Sequence, residues 1–227
     1  MNEVLNTNKM RELYSIYHQE YIIMAEYRML QTENLQGIYV IPSYESSLTW
    51  FGVIFVRSGV YEGGVFRFTL NLPEKFPDEN VPVITFASKL YHPAINASTG
   101  VLSLNEVFPQ WDKKHNHIWQ ILKYLHCIFD NLNLKSPANT EASLALKTNR
   151  KLFMDKVKEC VMLSIDHIYD DPPSDDKHYI TFKPYDPEVH ENAKSIMLKI
   201  SEINEGSHGI SWVQPGSFQS FSKEETT

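Results

Sequence analysis

Cysteine is scarce in this 227-residue chain: there are two, Cys127 and Cys160. So sparse and widely spaced a pair argues against a disulfide framework and against a zinc site, and fits a reducing, cytoplasmic setting. Long apolar runs are missing as well. The longest, WFGVIFV at 50–56, falls far short of the roughly 18 to 20 residues a spanning helix needs. The opening MNEVLNTNKMRELY has no apolar stretch flanked by basic residues, so no signal peptide is expected. Nor is there a basic excess. Residues 1–169 carry 16 basic and 17 acidic side chains, and residues 170–227 carry 5 and 11. That balance argues against nucleic acid and anionic membrane surfaces, which want a basic footprint, and leaves proteins as the expected partners.

What is present is an ordinary globular composition, 42% hydrophobic and 22% charged, arranged as one domain with an appendage. Residues 9–31 read as an amphipathic helix through Leu13, Ile16, Tyr17, Met24 and Tyr27. Four strand-like segments follow, GIYVIP, LTWFGVIFV, GVFRFTLNLP and VPVITF. In the third, Phe66, Phe68, Leu70 and Leu72 alternate with Arg67, Thr69 and Asn71, the period of a half-buried strand. Short connections predict an antiparallel meander covered by helices, an α+β fold. Residues 87–117 show no period, which points to a functional loop. Helical pattern resumes at Ile118, Ile121, Leu122, Leu125, Ile128, Phe129 and Leu132. Thr140 and Thr148 are expected to cap two further helices, the second buried through Phe153, Val157, Cys160 and Val161.

YDDPPSDDKHY at 169–179 breaks the pattern, and the domain edge is expected there. The division expected is 1–19 for the N-terminal segment and start of the first helix, 20–176 for the domain, and 177–227 for an extension. The extension holds a helix at about 187–204, with Asp186 as N-cap, Pro187 at its first position and Gly206 past its end. Its apolar face, Val189, Ala193, Ile196, Ile200 and Ile203, is expected to be buried either on the domain or on a partner. Trp212, Val213 and Phe218 lie in a following segment without regular period.

This order of elements, with its punctuation, resembles the ubiquitin-conjugating enzyme family over roughly residues 10–165. The landmarks are Trp50, YEGGVF at 61–66, LPEKFPDENVPVITF at 72–86, His92-Pro93, Trp111 and SPANTEA at 136–142. The resemblance implies that family's fold. It also implies a His-Pro-Asn motif followed by a Gly turn and a cysteine that carries ubiquitin as a thioester. Laid on HPAINASTGVLSL, the pattern puts Ala94 at the asparagine and Ser103 at the cysteine, with one residue more between them than the family usually has. A serine hydroxyl needs an activating base that a cysteine, with its lower pKa, does not. Leu102 and Leu104 offer none, and the family's His-Pro histidine, here His92, is implied to be structural. Ala94 cannot replace the amide that stabilises the oxyanion, a loss of about 100- to 1000-fold in rate. No catalytic residue, cofactor or metal is therefore expected. Cys127 reads as a partly exposed bystander and Cys160 as core, and His115 and His117 lack a Cys or carboxylate at ligand spacing.

HNHIWQIL at 115–122 and the tail GISWVQPGSFQSFSKEE at 209–225 are similar to the fused toes or crossbronx branch of that family. That resemblance implies a catalytically inactive adaptor that associates with Hook-type coiled-coil proteins in microtubule-based vesicle and endosome transport. It would be cytoplasmic and reach vesicles peripherally through its partners. Two other functions stay open: a non-covalent ubiquitin-binding variant that partners an active conjugating enzyme, and a weak enzyme forming an oxyester on Ser103.

Overall fold

The computed structural model describes residues 2–33 and 35–205, with side chains described over 14–33 and 35–199. The elements are helix α1 (Asn2–Thr32), strands β1 (Ile38–Pro42), β2 (Thr49–Phe55), β3 (Val65–Asn71) and β4 (Val83–Phe86), then helices α2 (Ile118–Asp130), α3 (Thr140–Thr148), α4 (Arg150–Asp166) and α5 (Pro187–Glu205). The four strands form one antiparallel sheet in the order β1-β2-β3-β4. The expected α+β meander is what the chain builds.

Alternation on β3 sorts its side chains between two faces. Phe66, Phe68 and Leu70 are buried with Trp50, Ile54 and Ile84, and α2 adds Ile118, Ile121, Leu122, Leu125 and Phe129 to the same core. Phe66 and Phe129 stack with ring centroids 5.8 Å apart. Phe153 and Val157 of α4 close the core as expected, while Cys160 and Val161 are only half-buried.

Of the face expected for α1, Tyr27 packs half-buried against the core, but the rest of the described part does not. Ile16, Tyr17 and Met24 are exposed, and the side chain of Leu13 lies outside the described residues. The buried line is Ile23 and Glu26, with Ile22, Tyr27 and Leu30 half-buried beside them. A carboxylate in the middle of that line hides its i, i+3, i+4, i+7 period from a hydrophobic reading. The caps also differ by one residue from expectation. Asn139 accepts from the Ala142 N–H at 3.0 Å and Asn149 from the Leu152 N–H at 3.1 Å. Thr140 and Thr148 are instead the first and last residues of α3, because the asparagine carbonyl supplies the acceptor just outside the first turn.

The other sheet face is covered by the acidic, proline-containing stretch that reads as a break in the sequence. The Asp176 carboxylate accepts from the Ser43 hydroxyl at 2.5 Å and from the N–H groups of Tyr44, His178 and Glu45 at 3.1, 2.8 and 3.3 Å. Tyr179 packs edge-on against Phe51, with centroids 4.9 Å apart, and Phe182 against Phe55 at 5.9 Å. The Arg67 guanidinium donates to the carbonyls of Ile168 and Ile180 and lies 4.9 Å over the Phe182 ring. This strap closes the first compact unit, Met1–Phe182; a second begins at Lys183. Within the second, Asp186 caps α5 by accepting from the Glu188 N–H at 3.0 Å, and Val189 and Ile196 are exposed. The side chains of Ile200 and Ile203, and all of Gly206, Trp212, Val213 and Phe218, lie outside the described residues.

Candidate functional site

The loop without a period is an ordered surface laid along β4. Phe86 donates its N–H to the Gly100 carbonyl and Leu102 to that of Ile84, both at 2.9 Å. Gly100 has φ +71, and a Cβ there would lie 2.9 Å from the Phe86 carbonyl oxygen, so the turn needs glycine. The turn is held from inside by the Asn96 carboxamide, which accepts from the N–H groups of Ser98 and Thr99, each at 3.0 Å. Ile95, Leu102, Leu104, Phe108 and Trp111 point into the core, which explains how a stretch without helical or strand period stays fixed.

The geometry brings His92, Pro93, Ala94 and Ser103 together. Ser103 donates its N–H to the Ala94 carbonyl at 2.8 Å, beside the Ile95–Leu102 bridge. The Pro93 carbonyl accepts from the Asn139 N–H at 3.0 Å, which ties the loop to the start of α3. His92 is fully buried. Its Nδ1 accepts from the Ala94 N–H at 2.9 Å, so the ring proton sits on Nε2, which donates to the Ile128 carbonyl at 3.0 Å. Burial pushes the imidazole down to about 4 against the opposing pull of that carbonyl. Both nitrogens are committed to backbone groups, so His92 is a fastener and not a base.

Ser103 is half-buried in a groove of about 410 Å³. Its walls are Val81, Pro82, Val83, Val101, Leu102, Leu104 and Ala138, with Asn96, Thr99 and Asn105 as polar members. Among the described residues this lining holds no acid, base or thiol. Ala94 is fully buried and presents no donor. Neither cysteine reaches the groove lining. Cys127 is exposed, and the Cys160 sulfur accepts from the Tyr91 N–H at 3.3 Å with its thiol pushed up by burial. His115 pairs with Asp112 at 2.8 Å, and His117 donates from Nδ1 to Glu26 at 2.9 Å. Among the described residues no group of three or more His, Cys, Asp or Glu side chains is placed to hold a metal ion.

Glu26 was invisible as a functional side chain in the sequence. Its second oxygen accepts from the Ile118 N–H at 2.9 Å, so a residue of α1 caps the N-terminus of α2, where a carboxylate is favoured. Glu26 is three residues from Ile23 and four from Leu30, and that spacing was the available signal.

The family model for the ubiquitin-conjugating enzyme matches residues 22–161. The chain belongs to the ubiquitin-conjugating enzyme family. An AKT-interacting protein from Danio rerio is 41% identical over 218 residues, covering 93% of this chain and 74% of that protein. AKT-interacting protein homolog A from Xenopus laevis is 40% identical over 230 residues, covering 99% and 78%. These relatives place the chain in the fused toes branch of the family. The E2 domain of a Toxoplasma gondii ubiquitin conjugating enzyme shares the fold, with a TM-score of 0.55 at 22% identity over 63% of this chain and 97% of that one. Among the described residues no helix is long and apolar enough to cross a membrane.

Proposed function

We propose that this chain is a catalytically inactive member of the ubiquitin-conjugating family that works as a protein-interaction adaptor. One observation carries the reading. The loop that should present an acceptor thiol and an amide donor presents the Ser103 hydroxyl and the Ala94 methyl group, beside a histidine whose two nitrogens are both taken by backbone. A hydroxyl without a base is a poor nucleophile, and a site without the donor cannot stabilise an oxyanion. The relatives are named for an interaction with AKT, and their likeness supports a protein-binding role for this chain too.

The partner class in this proposal is the Hook-type coiled coil, in microtubule-based vesicle and endosome transport, with a cytoplasmic protein that meets vesicles through its partners. We assign 1–19 and 20–176 to the N-terminal segment and conjugating-like domain, and 177–227 to the extension; residues 177–182 of that extension are the part strapped to the sheet. The reading is tested by incubating the full chain with ubiquitin, activating enzyme and ATP, and by co-precipitating it with a recombinant Hook-type coiled-coil fragment. No ubiquitin adduct and retained coiled-coil binding are expected. A reductant-sensitive adduct overturns the inactive site, a hydroxide-sensitive one that needs Ser103 favours the oxyester enzyme, and saturable binding of free ubiquitin favours the non-covalent variant.

A further inference from the structure

Basic side chains gather at one corner of this acidic chain. Residues 142–154 hold Lys147, Arg150 and Lys151 and no acid, within a net charge of -7. All three are exposed, and among the described residues none of them is ion-paired. Lys147 lies in the last turn of α3, where a cation is favoured. Arg150 and Lys151 instead open α4, which has no acid in its first turn, and bases there work against the helix dipole. Helix stability does not account for that placement. Asn149 alone separates α3 from α4, and Lys156 of α4 pairs with Glu141 of α3, so α4 folds back along α3. Leu144 is three residues after Glu141 and Leu152 four before Lys156, so the next turn of the seam sets the two leucines across from each other. They are 62% and 45% exposed. The three bases follow, between the leucines and the connection. At the other end the seam closes on Tyr91, whose ring lies 4.7 Å from the Lys156 ammonium.

We propose that the outer seam of α3 and α4 is the docking surface for an acidic amphipathic helix of a protein partner. Its apolar residues sit on Leu144 and Leu152, and its carboxylates face Lys147, Arg150 and Lys151. The proposal goes beyond the adaptor reading, which names no surface, and depends on neither the Hook-type partner nor the state of Ser103. Charge selects the occupant. A symmetric pair of copies sets the same bases against one another, and the acid on this seam, Glu141, is already held by Lys156. The chain's own residues 206–227 carry Glu224 and Glu225 against Lys223, too little charge to answer three bases. An anionic membrane is recognised by clusters of about four to eight Lys and Arg, which this corner does not reach. An acidic helix answers both features, because it brings carboxylates to the bases and apolar side chains to the leucines.

The test titrates the full chain with two synthetic peptides of about 20 residues, long enough to form a helix. One has Leu at three- and four-residue spacing flanked by Glu, and the other has the same composition with the Leu spacing scrambled. The first is expected to bind saturably and the second about tenfold more weakly. Lys147→Glu/Lys151→Glu should weaken the first by about tenfold or more, and replacing the peptide's Glu by Lys should restore binding to that variant. Leu144→Gln/Leu152→Gln keeps good helix formers at exposed positions, so the melting temperature holds while affinity falls. Several outcomes overturn the proposal. If the wild type binds neither peptide, or both equally, no such surface exists. If the variants bind as the wild type does, the surface lies elsewhere. If phosphatidylserine vesicles bind the wild type more tightly than the peptide and are lost on charge reversal, the occupant is a membrane. If the wild type sediments as a dimer that the leucine variant breaks, the occupant is a second copy. None of these results bears on the ubiquitin assay, so this proposal and the inactive-site reading fail separately.

Discussion

The N–H of Ser103 and the carbonyl of Ala94 are hydrogen-bonded at 2.8 Å. Two residues separated by an extra loop position are thus held side by side, in the arrangement the proposed degenerate site requires. The backbone frame of the loop is in place, and under the proposed reading what it lacks is chemistry carried on two side chains.

Restoring one of those side chains is therefore expected to restore little. Ser103→Cys supplies a nucleophile, but Ala94 still has no donor for the oxyanion formed when an amine attacks. Transfer from a charged Ser103→Cys variant to free lysine should run about 100- to 1000-fold below that of an active family member. Single-turnover discharge measures this directly. Near-normal transfer would show that the loop stabilises the oxyanion through its backbone and that Ala94 is no defect.

Phe68 and Gly52 form a second coupled pair. They face each other across β2 and β3, and a Cβ on Gly52 would sit 2.3 Å from the Phe68 ring. Phe68 is 2% exposed, so Phe68→Ala should cost about 3 to 5 kcal/mol. Gly52→Ala should cost about 1 to 3 kcal/mol by overpacking, and that cost should largely vanish in the Phe68→Ala background, where the ring is gone. A denaturant double-mutant cycle checks it. Additive losses would mean that the ring does not fill the space over Gly52.

The sheet was legible because period-two alternation in β3 reports directly which side chains face the core, and the proline and glycine punctuation marked its turns. The face of α1 was not, because Glu26 is buried among apolar residues to cap α2, and a hydrophobic pattern cannot register a partner 92 positions away. Ile16, Tyr17 and Met24, all exposed, then looked like part of the better stripe. The strap was illegible for the opposite reason. Its prolines and aspartates have the composition of a linker, and its fixing groups are scattered, with Ser43 just past β1, Phe51 on β2 and Arg67 on β3. At the loop, residue identities at Ala94 and Ser103 could be read directly, whereas the hydrogen bonds that disqualify His92 as a base needed coordinates.

Asp176 should behave as the anchor of the strap. Burial alone would raise its pKa, but donation from Ser43, His178, Tyr44 and Glu45 outweighs this and holds the carboxyl down to about 2. A depressed carboxylate stabilises the fold above its unfolded pKa, so the anchor is complete above about pH 4 and loosens as pH falls from there towards 2. Asp176→Asn should raise amide hydrogen exchange across 169–182 at neutral pH while leaving β2, β3 and α2 protected. Unchanged exchange in the strap would assign its hold to Arg67 and the aromatic contacts instead.

His92 should impose a different acid dependence. The unfolded chain takes up this proton near pH 6.5, the folded one only near 4. Between those values the unfolded state binds more protons, so stability rises with pH, is complete above about 6.5 and falls as pH drops towards 4. The separation corresponds to a loss on the order of 3 kcal/mol from this one group. The window lies above that of Asp176, so the two effects separate along one pH series. His92→Asn keeps an acceptor for Ala94, falls short of the Ile128 carbonyl, and cannot be protonated in this range. It should be less stable than the wild type at pH 7, because the smaller side chain leaves space beside Tyr61 and Phe129, whose rings lie 5.3 and 5.7 Å from the imidazole. Its stability should nevertheless depend less steeply on pH between 6.5 and 4, by about one proton. Urea unfolding of both proteins at half-unit intervals measures the difference in slope, and parallel curves would mean that the imidazole is protonated in the fold and that its fastening role is wrong.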